Sequence, residues 1–354
     1  MQYAEPGRWP PIVQWSALAT GGIALGLGME RLHVPAALLL GPLIWAAILG
    51  TRGMNIRIGR GGHQFGQAVA GALIALNLDA TILARTVEIW PVVFLFVFLT
   101  LVLACAVGLV ATRLTGLDQD VTIWGFMPGM AGTMIALAHE RGLDSRMVAF
   151  IQILRLLMVI GAMVTFGAII VGPAVPHSEI IPDPTALPII PTLALAGFGV
   201  ATGRWLPMIP AGASLVPILI GGALCVNGIV FTVPHWLVTV AFFFLGAQTG
   251  LRFTPEMLKV GAKALPMLAV SVVLLLVLCG LSGGILSLIT GTDLMSAVLA
   301  TVPGSIDSIA LIALSTGSDM SFIMVLQTTR LFAVVLLGPF IARVMLHLIS
   351  RVRA

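Results

Sequence analysis

Charge is scarce in this chain. Only 9% of its 354 residues are Asp, Glu, Lys or Arg, while 59% are hydrophobic and the mean hydropathy is +1.10. Soluble domains carry about 25% charged residues. The composition therefore excludes a soluble enzyme and predicts a polytopic inner-membrane protein. Cysteine is also scarce. Cys105, Cys225 and Cys279 lie inside apolar runs, so they read as small core residues rather than ligands. The six histidines form no H-x-x-H or H-x-x-x-H pair. No metal site or cofactor is visible. A cleavable leader is not evident either. The first apolar segment follows the single Arg8 and has no clear cleavage site, so it is expected to remain as a helix.

What is present is a unit written twice, 175 residues apart. Pro35 falls on Pro210, Pro42 on Pro217, Gly71 on Gly246 and Pro91 on Pro266. The register continues through Asp118 on Asp293, Pro128-Gly129 on Pro303-Gly304, Asp144 on Asp319, Gln152 on Gln327 and Arg155 on Arg330. Shared greasiness does not align prolines, glycines and charges. Duplicated membrane units are a common plan for secondary transporters, with the binding site where the repeats meet. The expected domains are repeat one at 1–173, an extracytoplasmic linker at 174–186, and repeat two at 187–354.

Twelve apolar stretches can be read, six per repeat. They cover about 11–28, 34–50, 63–78, 88–112, 121–138 and 146–173 in the first half. In the second they cover about 187–203, 209–226, 235–251, 264–289, 295–314 and 320–347. If all twelve cross, Lys and Arg outside the membrane split eight to eight between the sides. If 121–138 and 295–314 instead enter and leave on one side, fourteen fall inside and only Arg31 and Arg85 outside. The positive-inside rule favours the second arrangement. Charge also changes loops between the halves. Arg52, Arg57 and Arg60 follow the second stretch of repeat one, whereas Arg252, Lys259 and Lys263 follow the third stretch of repeat two. The predicted fold is therefore an all-α polytopic membrane protein of two inverted repeats. It has about 10 transmembrane helices plus 2 re-entrant or broken elements, and both termini are cytoplasmic. Crossing helices broken in mid-membrane would instead restore twelve spans and parallel halves.

The fifth stretch of each unit contains Pro-Gly: F-M-P-G-M-A-G-T from Phe126, and A-T-V-P-G-S-I-D-S from Ala300. Proline removes a backbone donor, and glycine tolerates unusual torsions. A helix is expected to break there. Such a break is tolerated at membrane depth only where protein or a cavity encloses it. The freed N–H groups suit an anion and the freed carbonyls a cation. The candidate substrate-binding residues are Pro128, Gly129, Gly132, Thr133, Pro303, Gly304, Ser305 and Ser308. Asp307 is the one acid well inside a predicted membrane segment, which makes it a proton- or sodium-coupling candidate. It would alternatively cap the half-helix after the break. The sixth stretches carry Q-x-x-R, which places Gln152 with Arg155, and Gln327 with Arg330, on one helix face. Both pairs join the candidate substrate-binding set. The two arginines would recognise an anion, or would satisfy carbonyls freed at the breaks. Arg330 could also pair with Asp307. Trp9, Trp90, Trp124, Trp205 and Trp236 lie near segment ends and read as an interfacial belt.

The paired V-P-A-x-L-L-L-G-P-L from Val34 and I-P-A-x-x-S-L-V-P-I from Ile209, with the duplicated Pro-Gly and Q-x-x-R, resemble the AbrB family of bacterial membrane proteins. The resemblance covers about Ile12 to Ile349. It implies regulation of gene expression, and many members are labelled ammonia monooxygenase or transcriptional regulator. The residues support neither label. No basic DNA-reading region or helix-turn-helix is present, and no cluster of copper or iron ligands. More distantly, the inverted architecture is similar to sodium- or proton-coupled carboxylate and bile-acid transporters. The expected function is a secondary transporter of a small organic anion, not an enzyme. Its expected partners are membrane lipid, that anion and a second copy in a homodimer, with no nucleic acid. A membrane sensor affecting gene expression without net transport is the alternative.

Overall fold

The structure, a computed structural model, describes residues 6–128, 131–171, 189–206, 211–229 and 231–334. The linker at 174–186, Gly129, Pro210 and the C-terminal arginines Arg343, Arg351 and Arg353 lie outside the described residues, as do the side chains of Gly132 and Thr133. The described residues form helices and no strands. In chain order the helices of the first half are α1 (Pro11–Arg31), α2 (Ala37–Thr51), α3 (Arg60–Leu76), α4 (Ala80–Glu88), α5 (Trp90–Thr115), α6 (Gln119–Phe126), α7 (Ala131–Glu140) and α8 (Ser145–Ile170). Those of the second are α9 (Ile189–Trp205), α10 (Gly212–Val226), α11 (His235–Gly250), α12 (Pro255–Gly261), α13 (Leu265–Thr290), α14 (Leu294–Thr301), α15 (Ile306–Thr316) and α16 (Met320–Val334).

Among the described residues, α1, α5, α8 and α13 are long and apolar enough to cross a membrane. The number rises to six if α3 with α4, and α11 with α12, each form one broken span. Such a set is consistent with a multi-pass membrane protein. The helices α2 and α10 have 15 residues each. At 1.5 Å per residue they reach about 22 Å, short of a ~30 Å hydrocarbon core.

The 175-residue spacing governs local structure as well as sequence. The helices α2 and α10 begin and end 175 residues apart, as do α5 and α13, and α6 and α14. The same capping devices recur. Asp118 accepts the Asp120 N–H at 3.0 Å, and Asp293 accepts the Ser296 N–H at 2.8 Å. Gly116 and Gly291 close α5 and α13 in the left-handed region, at φ 70° and 71°. Ala36 and Ala211 precede α2 and α10 at φ 55° and 52°, a region that costs a non-glycine residue about 1–2 kcal/mol. The Ala36 N–H is held by the Ser315 hydroxyl at 3.2 Å.

The chain folds into two compact units, each drawing on both halves of the sequence. The first is Met1–Ala80, Phe166–Pro255 and Asp307–Ser321; the second is Thr81–Thr165, Glu256–Ile306 and Phe322–Ala354. In the first unit, α1 packs on α2 and α11, α9 packs on α10 and α3, and α3 meets α11. Leu18, Leu49, Phe243 and Ala247 form the core of one trio, and Ala68, Val69, Ala196 and Ala241 join the other. Glycines allow close helix crossings. A Cβ on Gly71 would strike the Ser214 carbonyl, and one on Gly246 would strike the Leu39 carbonyl. In the second unit α5 packs on α13, α6 on α5 and α14 on α13. There a Cβ on Gly108 would lie 3.1 Å from Ile123 Cα, and one on Gly283 2.7 Å from Val298 Cα.

Two sequence expectations differ from what is seen. The short helices α4 and α12 lie where loops were expected, because each alternates a few apolar residues with charge. Trp124 belongs to no interfacial belt. It is fully buried in the half-helix α6, with the Arg141 guanidinium 4.9 Å from its ring centroid.

Candidate functional site

Both Pro-Gly stretches are broken helices. The chain leaves α6 at Phe126 and re-enters helix at Ala131; it leaves α14 at Thr301 and re-enters at Ile306. Met127 and Val302 have already turned to extended backbone, at ψ 122° and 134°. A helix that ends this way exposes its last carbonyls. In the second unit those carbonyls are buried, so each needs a donor.

The Q-x-x-R pairs supply the donors. Gln152 Nε2 donates to the Trp124 carbonyl at 3.0 Å and to Met127 at 3.1 Å. Arg155 Nη1 donates to Phe126 at 2.7 Å, and Nη2 to Gln152 Oε1 at 2.9 Å. At the second break Gln327 Nε2 donates to Leu299 at 2.7 Å and Val302 at 3.3 Å. Arg330 donates to Val302 and Gly304, both at 2.8 Å. The two breaks differ in how the glutamine oxygen is used. Gln152 uses its oxygen to hold Arg155, whereas Gln327 Oε1 is buried without a partner.

The two arginines are each 6% exposed. Burying a cation costs several kcal/mol. Two charge-assisted bonds of about 1.5–3 kcal/mol each are of the right size to offset that. Arg155 Nε has no partner. Within the second unit, among the described residues, the partners of both guanidinium groups are carbonyl oxygens.

Asp307 stands in the first turn of α15, which packs within the first unit. It is 7% exposed. Its Oδ2 accepts from Gln67 Nε2 at 3.2 Å, and its Oδ1 has no partner. The carboxylate therefore takes no backbone N–H, and capping is not its role. The Ser214 hydroxyl is a neighbour of the carboxylate, but it donates to the Ala211 carbonyl at 3.2 Å. Sequence reasoning missed Gln67. Its only signal was an uncharged amide on the Gly-Ala face of α3, one turn before Gly71.

The candidate residues thus separate into two groups. Pro128, Gln152, Arg155, Pro303, Gly304, Ser305, Gln327 and Arg330 belong to the second unit; Asp307 and Ser308 belong to the first. Ser308 is buried one residue past Asp307. Among the described residues no group of three or more His, Cys, Asp or Glu could hold a metal ion.

Comparison with known proteins bears on this arrangement. The family profile described as "Transition state regulatory protein AbrB" matches residues 49–346, which take in both breaks and both Q-x-x-R pairs. This chain belongs to the AbrB family. It is 36% identical over 339 residues to an Escherichia coli (strain K12) protein named "Putative regulator AbrB", covering 94% of this chain and 97% of that one. It is 27% identical over 351 residues to "Uncharacterized protein YhjN" of Bacillus subtilis (strain 168), covering 94% of this chain and 90% of that one. No solved structure matches.

Proposed function

We propose that this AbrB-family protein is a secondary transporter of a small organic anion, built from two inverted repeats in the bacterial inner membrane with both termini cytoplasmic. The observation that carries the reading is the pair of buried helix breaks, each holding an arginine through main-chain carbonyls. Broken helices at depth are where transporters place substrates. The fourteen-to-two bias of basic residues supports ten crossings with two re-entrant elements, and the 175-residue recurrence of element bounds supports the duplication.

In this account Arg155 and Arg330 bear the positive charge that attracts the anion, while Gln152 and Gln327 keep the half-helix ends intact. Pro128, Gly129, Gly132, Thr133, Pro303, Gly304, Ser305 and Ser308 shape the backbone and hydroxyl surface of the site. Asp307, held by Gln67, couples transport to a proton or another cation. Movement at the breaks exposes the site alternately to each side. The protein is not an enzyme, binds lipid and not nucleic acid, and is a candidate homodimer. Purified protein in liposomes should take up small radiolabelled carboxylates under an imposed proton or sodium gradient. Uptake at the wild-type rate by the Arg330→Ala/Asp307→Ala double variant would exclude this site.

A second reading is favoured by names alone: the family description and the Escherichia coli relative both say regulator. A regulator without transport would co-purify with a soluble partner and show no flux of any tested anion.

A further inference from the structure

Within the first unit, among the described residues, the hydrogen-bond partner of the buried Asp307 carboxylate is a neutral amide. Gln67 Nε2 donates to Oδ2 at 3.2 Å, and Oδ1 is buried with no partner. Gln67 follows Arg60, the first residue of α3, by seven positions, about 10 Å along the helix axis. A carboxylate so placed must be neutralised by a proton, paired with a cationic side chain, or bound to a metal ion. The helices around it offer no cationic partner at that level. Both α2 and α10 lack charged side chains, and Asp307 is the one acid of α15. The basic residues of α3 are Arg60 and His63, that of α9 is Arg204 and that of α11 is His235. Each of these stands in a terminal turn of its helix. The Cys225 thiol of α10 stands in the last turn of that helix.

A metal cation needs several oxygens in place of its hydration shell. The described residues of the first unit offer few that are free. Gln67 turns its N–H, not its oxygen, toward the carboxylate. Ser214 stands against α3 one turn beyond Gln67, where a Cβ on Gly71 would strike its carbonyl. Its hydroxyl donates to the Ala211 carbonyl at 3.2 Å. That carbonyl also accepts the Ser214 and Leu215 N–H groups, each at 2.9 Å. A proton, by contrast, needs a single oxygen. Gln67 suits both states of the carboxyl group. Its amide N–H donates to the ionised form, and its amide oxygen, brought round by rotation of the last side-chain bond, accepts from a protonated Oδ2.

From these observations we infer that the cation Asp307 takes up is a proton and not a metal ion, and that Gln67 positions the carboxyl group in both states. The inference rests on the transporter reading for its role in coupling, but not for its test. Binding adds one proton to Oδ2 and removes one negative charge from the buried first turn of α15.

The experiment is infrared difference spectroscopy of the full chain purified in detergent, titrated from about pH 4 to 9. It is run once in sodium and once in potassium at the same ionic strength. The expected result is the carbonyl band of a protonated carboxyl group that fades as pH rises and is lost in Asp307→Asn. Its midpoint should be the same in both salts. Gln67→Leu should shift the frequency of the band, because the carboxyl group loses its hydrogen bond. If Asp307→Asn fails to fold, the Gln67→Leu shift identifies the band and the response of wild type to sodium decides. A midpoint lowered by about one pH unit for each tenfold rise in sodium would mean direct competition, and would overturn the assignment in favour of a metal ion. The absence of any band that depends on Asp307 would overturn it as well, and a band unmoved by Gln67→Leu would overturn the role of Gln67. Uptake into liposomes reads transport separately. No uptake, beside a band insensitive to sodium, would count against the transporter and leave the proton site standing.

Discussion

Gln152 and Gln327 occupy the same place in the 175-residue register, yet replacing each by leucine should have unequal consequences. Gln152 uses both ends of its amide: Nε2 holds the Trp124 and Met127 carbonyls, and Oε1 receives Arg155. Gln152→Leu removes two neutral bonds of about 1 kcal/mol each and one from a guanidinium worth about 1.5–3 kcal/mol, a loss near 4 kcal/mol. Gln327 also holds two carbonyls well, Leu299 and Val302, but its Oε1 is already buried without a partner. Gln327→Leu loses about 2 kcal/mol of bonding and relieves about 1 kcal/mol of that buried oxygen's cost. Val302 keeps its bond from Arg330 in any case. The first substitution should therefore destabilise the fold by roughly 3 kcal/mol more than the second. Leucine nearly matches glutamine in volume, so packing contributes little to the difference. Denaturant unfolding of the purified variants in mixed micelles measures it. Equal losses, or a larger loss for Gln327→Leu, would refute the assignment of the hydrogen bonds at the two breaks.

Other consequences follow from the packing and capping. Gly71→Ala and Gly246→Ala each press a methyl into a backbone carbonyl and should cost about 1–3 kcal/mol in unfolding experiments. Gly280→Ala, with nothing near the added methyl, should be neutral or stabilising by up to about 1 kcal/mol. Ala36→Gly and Ala211→Gly relieve left-handed backbone and should stabilise by about 0.5–1 kcal/mol each, once glycine's extra chain entropy is subtracted. Asp118→Ala and Asp293→Ala should each cost about 1 kcal/mol through loss of the N-cap bonds, seen as a lower unfolding midpoint.

Much of the local geometry around the breaks was legible because proline and paired side chains leave strong local marks. Pro128 and Pro303 predicted the breaks between α6 and α7 and between α14 and α15, and the i, i+3 spacing placed each glutamine with its arginine. What local pattern left open was which of two roles the arginines play in the fold. The structure shows them bonded to freed carbonyls, and only long-range geometry decides that. Gln67 was invisible because its partner lies 240 residues away. Trp124 misled for a physical reason: an amphipathic ring near a segment end suits an interface, but here the segment end is a half-helix enclosed by protein. The two units were also out of reach. Each gathers helices from both halves, so no single composition shift marks their boundaries.

The central claim is an inverted-repeat transporter, and its most direct test is sidedness. With Cys105, Cys225 and Cys279 removed, single cysteines replace Ser178 and Arg57, and an impermeant thiol reagent is applied to intact cells and to inverted vesicles. The account predicts that position 178 labels from outside and position 57 only from inside, which requires an odd number of crossings per repeat. Labelling of both positions from the same side would mean an even number and parallel halves, and would contradict the mechanism.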